Sequence, residues 1–293
     1  MSFPNSAPTH VQRPSCGAAD LEEARRLHKK HGTSYYFATA FFPRHLREAT
    51  FALYAFFRVP DELVDNPDSG DPRRALEDWR GDWRRAYRTG EAEHPVLRAT
   101  AHVFHRYEIP YEHSEAFLSA MFRDLDDTRY PTYADLENYM YGSAAVVGLM
   151  MSHVIGFSDP SALPFAEKLG HAMQLTNFLR DIDEDFSQRG RIYLPLDEMA
   201  RFNVSPEQIA ERRFDRNFEA LMRGQAARAH RLYDEAAPGI PLLHPDGQRA
   251  VRVAATLYRA ILTKLEAQGF DPFAGRARTS AVEKAVLAAR AWR

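Results

Sequence analysis

Apolar residues recur along this chain at intervals of three and four, the period of a helix face, and strict two-residue alternation is almost absent. Between 44 and 65, Leu46, Ala49, Leu53 and Phe56–Phe57 form one stripe. Leu76, Trp79, Trp83 and Tyr87 form another, in a helix restarted by Asp71-Pro72 after a loop at 66–70. Asp20 reads as the N-cap of a helix running to His31. Further helices are predicted near 95–107, 112–128, 132–157 and 161–186. After the loop-like stretch GRIYLPLDEM (190–199) comes a helix capped by Ser205 with Pro206 in its first turn, then helices near 214–235 and 246–268 and one from about Ser280. Residues 1–17 lack periodicity and are rich in Pro, Ser and Asn, so they are expected to be disordered. With no repeat or linker in 18–293, the pattern predicts an all-α chain: one helical domain of about ten helices.

From 138 to 158 only His153 could carry a charge, and that length would reach across a bilayer. Asn138, Tyr139, Tyr141, Ser143, Ser152 and three glycines interrupt it, which favours a buried helix. Composition narrows the function classes. The chain has 293 residues, 45% of them hydrophobic, and a net charge of −2, which is not the basic balance of a nucleic-acid binder. Its one cysteine, Cys16, supports neither a disulfide framework nor a thiolate metal site. That fits a reducing, cytoplasmic compartment, and the N-terminus shows no signal-peptide pattern.

Two helices carry carboxylates four residues apart. Asp61 and Asp65 share a face with Arg58, while Asn177, Asp181 and Asp185 form a column beside Arg180. Either alone reads equally as a solvated acidic face. Facing each other, the four carboxylates would repel unless cations sat between them. Oxygen donors without Cys or clustered His select Mg²⁺ or Mn²⁺, which commonly complete their shells with substrate phosphate. The pair therefore points to a phosphorylated substrate, with Arg58, Arg180 and Arg191 available to its free oxygens. Ala144, Gly148 and Ser152, with Ala145 alongside, give the uncharged helix a nearly bare face. That face suits either close helix packing or a trough for a long apolar substrate. Tyr139 and Tyr141 stand at its start, and Tyr35, Tyr36, Phe37, Phe41 and Phe42 cluster near the N-terminus. Aromatic faces stabilise carbocations, so the combination suggests ionisation of an allylic diphosphate. Asp124, Asp126 and Asp127 read as a solvated helix end, and the twelve histidines show no ligand spacing.

Five stretches together resemble the squalene and phytoene synthase family: HGTSYYFATAFFP (31–43), LYAFFRVPDELVD (53–65), YMYGSAAVVGLMM (139–151), QLTNFLRDIDED (174–185) and GRIYLP (190–195). The resemblance covers nearly all of 20–290 and is nearest to the bacterial and archaeal phytoene synthases. It departs in having Phe57-Arg58 for the usual Cys-Arg and Ser143-Ala144-Ala145 for the frequent Val-Ala-Gly. It implies an all-α, single-domain helical bundle of the isoprenoid synthase (class I terpenoid synthase) type with a central cavity. The implied activity is an Mg-dependent prenyltransferase joining two geranylgeranyl diphosphates head to head, through a cyclopropyl diphosphate, to phytoene. The alternatives are a thirty-carbon synthase using farnesyl diphosphate (squalene, dehydrosqualene or presqualene diphosphate), a terpene cyclase, and a non-catalytic partner subunit. By match to the family's motifs, Asp61 and Asp65 form the first metal-binding pair, and Asn177, Asp181 and Asp185 the second. Tyr139 is the implied catalytic tyrosine. Ser34, Tyr35, Tyr54, Arg58, Gln174, Arg180, Arg191, Tyr193 and Tyr258 are the implied substrate-binding set. Mg²⁺ (or Mn²⁺) is the implied cofactor, with no NADPH for a phytoene synthase. The implied partners are prenyl diphosphates and, for release of so apolar a product, a transient membrane surface, with no nucleic acid.

Overall fold

Nearly every apolar stripe in the sequence becomes a helix. The structure, a computed structural model, describes residues 16–65 and 70–291. Its helices are α1 (Ala18–His31), α2 (Thr33–Thr39), α3 (Arg44–Asp65), α4 (Pro72–Thr89), α5 (Pro95–Arg106), α6 (Tyr111–Asp126), α7 (Tyr133–Met140), α8 (Val146–Ile155), α9 (Ala162–Arg189), α10 (Leu196–Arg201), α11 (Pro206–Ala210), α12 (Arg216–Ala236), α13 (Pro245–Ala267) and α14 (Ala281–Ala291). Among the described residues the only β-pairing is two isolated bridges. The surplus over about ten helices comes from short elements such as α2, α10 and α11. Most of the segment expected to be disordered, residues 1–15, lies outside the described residues.

Three expectations change in detail. Asp20 is not the N-cap of α1. Gly17 holds that position, and Asp20, three residues on, accepts the Gly17 amide hydrogen at 2.9 Å and pairs with Arg98 at 2.5 Å. A carboxylate in the first turn satisfies a free amide as well as one at the cap would. The helix expected over 132–157 is split by a π-helical turn, Tyr141–Ala145. The aromatic stretch 31–43 contains α2. Among the described residues no helix is long and apolar enough to cross a membrane.

The 28-residue α9 forms the spine, with α8, α12 and α13 packed around it. Where it meets α8 and the π turn, the chains touch backbone to backbone. A Cβ on Gly148 would lie 2.5 Å from the Ala166 carbonyl oxygen, and one on Gly170 would lie 2.6 Å from that of Ala144. The bare face read from the sequence therefore serves close packing. It also serves the trough, because Ala144, Gly148 and Ser152 line a cavity beside α9. On the other side Trp83, Phe56 and Phe104 fill the core, and the Trp83 indole donates to Ser114 Oγ at 2.8 Å. Gly148→Val should therefore overpack this contact and cost about 1–3 kcal/mol. A urea melt of the variant with an unchanged midpoint would contradict the backbone contact.

Candidate active site

A cavity of about 490 Å³ runs beside α9, walled by residues of α3, α6, α8 and α9 and closed at its far end by α13 and the 237–242 turn. Its α9 wall carries Ala162, Ala166, Gly170, Met173, Asn177, Asp181 and Asp185, a stripe spaced by three and four. The lower part of that stripe is apolar and the upper part is acidic.

The two acidic motifs meet at the acidic end, where Asp61 and Asp65 of α3 line the same cavity as Asp181 and Asp185. Arginines fill the space between them. Arg189 pairs with Asp65 at 2.9 Å and with Asp185 at 3.6 Å, tying α3 to α9, and Arg191 pairs with Asp65 at 3.0 Å. Gly190 makes this possible. It ends α9 at φ +64, a left-handed turn that glycine adopts without strain, so both flanking arginines can reach one carboxylate. Asp181 is held by Arg180 at 2.8 Å and by Arg276 at 2.8 Å, and Arg58 pairs with Asp61 and Glu62. Asp183 points elsewhere, to Arg212.

This charge balance is tight. Burial pushes the Asp61 carboxyl up to about 6, against the pull of Arg58 and with added repulsion from Asp65. About 40% of the Asp61 side chain is accessible, but that surface faces the cavity. Burial followed by Asp181 repulsion pushes Asp185 up to about 7. Asn177 donates to Gln174 at 3.3 Å, but its buried Oδ1 has no partner. Among the described residues no three acidic or imidazole groups form a ready-made metal cluster.

Of the other singled-out residues, Tyr35, Tyr54, Arg58, Tyr139, Gln174, Arg180, Arg191 and Tyr193 all line the cavity. Ser34 and Tyr258 are not in its lining. Tyr258 packs behind Tyr35, with ring centres 4.7 Å apart. Tyr141 faces outward at 40% exposed.

Asp124 corrects the reading of a solvated helix end. It is buried, and its carboxylate accepts hydrogen bonds from the Tyr139 hydroxyl at 2.9 Å and the Tyr193 hydroxyl at 3.3 Å. Burial pushes it up to about 7, with Arg191 and the Tyr139 hydrogen bond acting in the other direction. Asp126 and Asp127 are the solvated end, paired with Arg73 and Arg123. The signal for Asp124 was its spacing from Phe117 and Met121, which puts it on the same cavity-facing stripe of α6. Arg189, four residues after Asp185, had a similar signal. Arg276 lies outside the helices and had none. Around these groups Phe178 stacks on Tyr193, with ring centres 4.0 Å apart, and Tyr139 stacks against Tyr193 at 5.7 Å.

Comparison with known proteins gives a consistent result. Residues 28–283 match the family described as "Squalene/phytoene synthase". The chain is 36% identical to a phytoene synthase of Thermus thermophilus over 96% of each chain. It is 34% identical to one of Arthrospira platensis over 91% of this chain and 90% of that one. Among solved structures, a dehydrosqualene synthase in complex with ligand superposes with a TM-score of 0.87 at 30% identity, covering 94% of this chain and 95% of that one. A squalene synthase of Alicyclobacillus acidocaldarius superposes at 0.80 and 30% identity, covering 87% and 95%.

The raised carboxyl of Asp185 makes its protonated form the better folded one. In the window between its ordinary value of 3.8 and about 7 the folded chain binds more protons than the unfolded chain. This contribution to stability is therefore present at the acid end and lost as pH rises. Asp185→Asn should gain thermal stability relative to the unsubstituted protein as pH increases from 4 to 8 in metal-free buffer. A difference in melting temperature that does not change with pH would contradict the account.

Proposed function

The chain belongs to the squalene/phytoene synthase family, and on that premise we propose that it condenses two geranylgeranyl diphosphates head to head, through a cyclopropyl diphosphate, to phytoene. At the coarser level it is a prenyltransferase-type enzyme on an isoprenoid synthase fold. The observation that carries the finer reading is the α9 stripe, acidic above Asn177 and apolar below it. From Asn177 to Ala162 the helix runs about 22 Å at 1.5 Å per residue. An extended chain advances about 1.2 Å per bond, so a twenty-carbon prenyl chain spans about 18 Å and a fifteen-carbon chain about 13 Å. A trough of this length supports the longer chain, and the relatives described above are phytoene synthases. The likeness to a dehydrosqualene synthase and a squalene synthase favours a second reading, a thirty-carbon product from farnesyl diphosphate.

In this reading the diphosphates sit among Asp61, Asp65, Asn177, Asp181 and Asp185. These groups fit a hard divalent ion, Mg²⁺ or Mn²⁺: all five supply oxygen, the Asn177 oxygen is unpartnered, and burial, with repulsion from a neighbouring carboxylate, raises the Asp61 and Asp185 carboxyls. Such an ion would neutralise charge on the departing diphosphate. Arg58, Arg180, Arg189 and Arg191 trade carboxylate partners for phosphate oxygens, orienting both leaving groups. Tyr35, Tyr54, Gln174, Phe178 and Tyr193 border the reacting carbons and keep water from the cation. Ser34 and Tyr258 act from just outside the lining. The apolar product implies brief contact with a membrane surface from the cytoplasmic side.

Incubation with geranylgeranyl or farnesyl diphosphate and Mg²⁺, with and without NADPH, tests the reading. The expected result is a forty-carbon hydrocarbon from the former, independent of NADPH. Diphosphate release from neither substrate would overturn it. Asp61→Asn and Asp181→Asn should each lower the rate by about 10² or more, as loss of a charge-stabilising group in a dry site does. Ala166→Leu intrudes about 16 Å below Asn177, between the two chain lengths. It should depress turnover of the twenty-carbon substrate more than that of the fifteen-carbon one, and equal effects on both would remove the ruler argument.

A further inference from the structure

Joining two prenyl groups into one hydrocarbon without a reductant sheds two protons, one as the cyclopropane closes and one as the central double bond forms. Resting on the condensing reading above, we infer that Asp124 is the positioning residue that makes Tyr139 the acceptor of these protons.

The Tyr139 hydroxyl donates to Asp124 Oδ2 at 2.9 Å. A phenol has one hydrogen, so once that is committed its oxygen has only lone pairs to offer, and both side chains line the cavity. The second carboxylate oxygen accepts from Tyr193 at 3.3 Å. Both partners are neutral. The nearby Arg191 guanidinium goes instead to the Asp124 backbone carbonyl at 2.9 Å and to Asp65 at 3.0 Å. Asp181, by contrast, is held by two guanidinium groups. Asp124 therefore keeps the basicity that a bidentate arginine would remove. Tyr139 is 3% and Asp124 8% exposed, so water competes poorly for either.

The step balances. The C–H bond beside the cationic carbon breaks, and its electron pair closes the ring or forms the double bond. The proton goes to the Tyr139 oxygen as the phenolic proton passes to Asp124, which becomes a neutral acid. Asp124 passes that proton on, to released diphosphate or to solvent, after the cyclopropane closes, so it is free to take the second one, and it is cleared again before the next turnover.

Asp124→Asn is the discriminating variant. The amide oxygen still accepts from Tyr139 and preserves its aim, but an amide does not take up the proton. The expected result is a fall in kcat of about 10² or more with KM within about threefold. With substrate deuterated at C1, the isotope effect on product formation should rise, a change that loss of packing alone would not produce. Asp124→Glu should restore part of the rate. Tyr139→Phe leaves Asp124 with its Tyr193 contact, so it carries the same isotope test should Asp124→Asn melt at the assay temperature. An active wild type alongside an Asp124→Asn enzyme with near-normal kcat and an unchanged isotope effect overturns the assignment of Asp124 alone. A wild type that releases no diphosphate from either prenyl substrate overturns the reading beneath it.

Discussion

Negative charge concentrated at the rim of an apolar cavity is the constraint that organises this molecule. Four carboxylates on α3 and α9 face a space that burial has partly dried, and such a set is stable only with positive charge among it. Arginines meet that need from several directions: Arg58 along α3, Arg180 along α9, Arg189 and Arg191 across the turn at Gly190, and Arg276 from the segment before α14. Even so, Asp61 and Asp185 remain raised. The helices are held together at this end by the same charges that a charged ligand would engage, so stability and binding draw on one set of contacts.

The fold was legible because its helices are amphipathic and most are bounded by ordinary signals, such as Asp71-Pro72 before α4 and Gly190 after α9. The acidic pairs were legible because a spacing of four fixes a shared face whatever surrounds it. What no spacing reveals is which face meets which. The convergence of α3 and α9 was an argument from repulsion before it was a geometry. Asp124 shows the limit most plainly. A carboxylate near a helix end looks solvated in sequence, and only the packing of α7 and the 190–195 loop over α6 buries it under two phenols. The π turn at 141–145 was equally hidden, since it answers to the close approach of α6 and α9 and not to a local preference.

The aromatic groups gain a clearer division of labour. Trp83, Phe56 and Phe104 fill space away from the cavity. Tyr139, Phe178 and Tyr193 form a stacked slab against it, with the Arg123 guanidinium 5.6 Å from the Tyr139 ring centre on the side of Asp127. Rings fixed in this way present polarisable faces without rotamer freedom, which suits a surface passed by a short-lived cation.

The contact of Gly148 and Gly170 with facing carbonyl oxygens has a consequence for how this cavity can change over evolutionary time. Where two helices meet main chain to main chain, their separation cannot be changed by small steps in side-chain size. Diversification of the cavity in descendants of this protein must then fall on the side chains that line it, such as Met151 on α8, Ala166 on α9 or Phe117 on α6, and on the far end near α13. The spacing of α8 and α9 would persist as the fixed reference against which new shapes are selected.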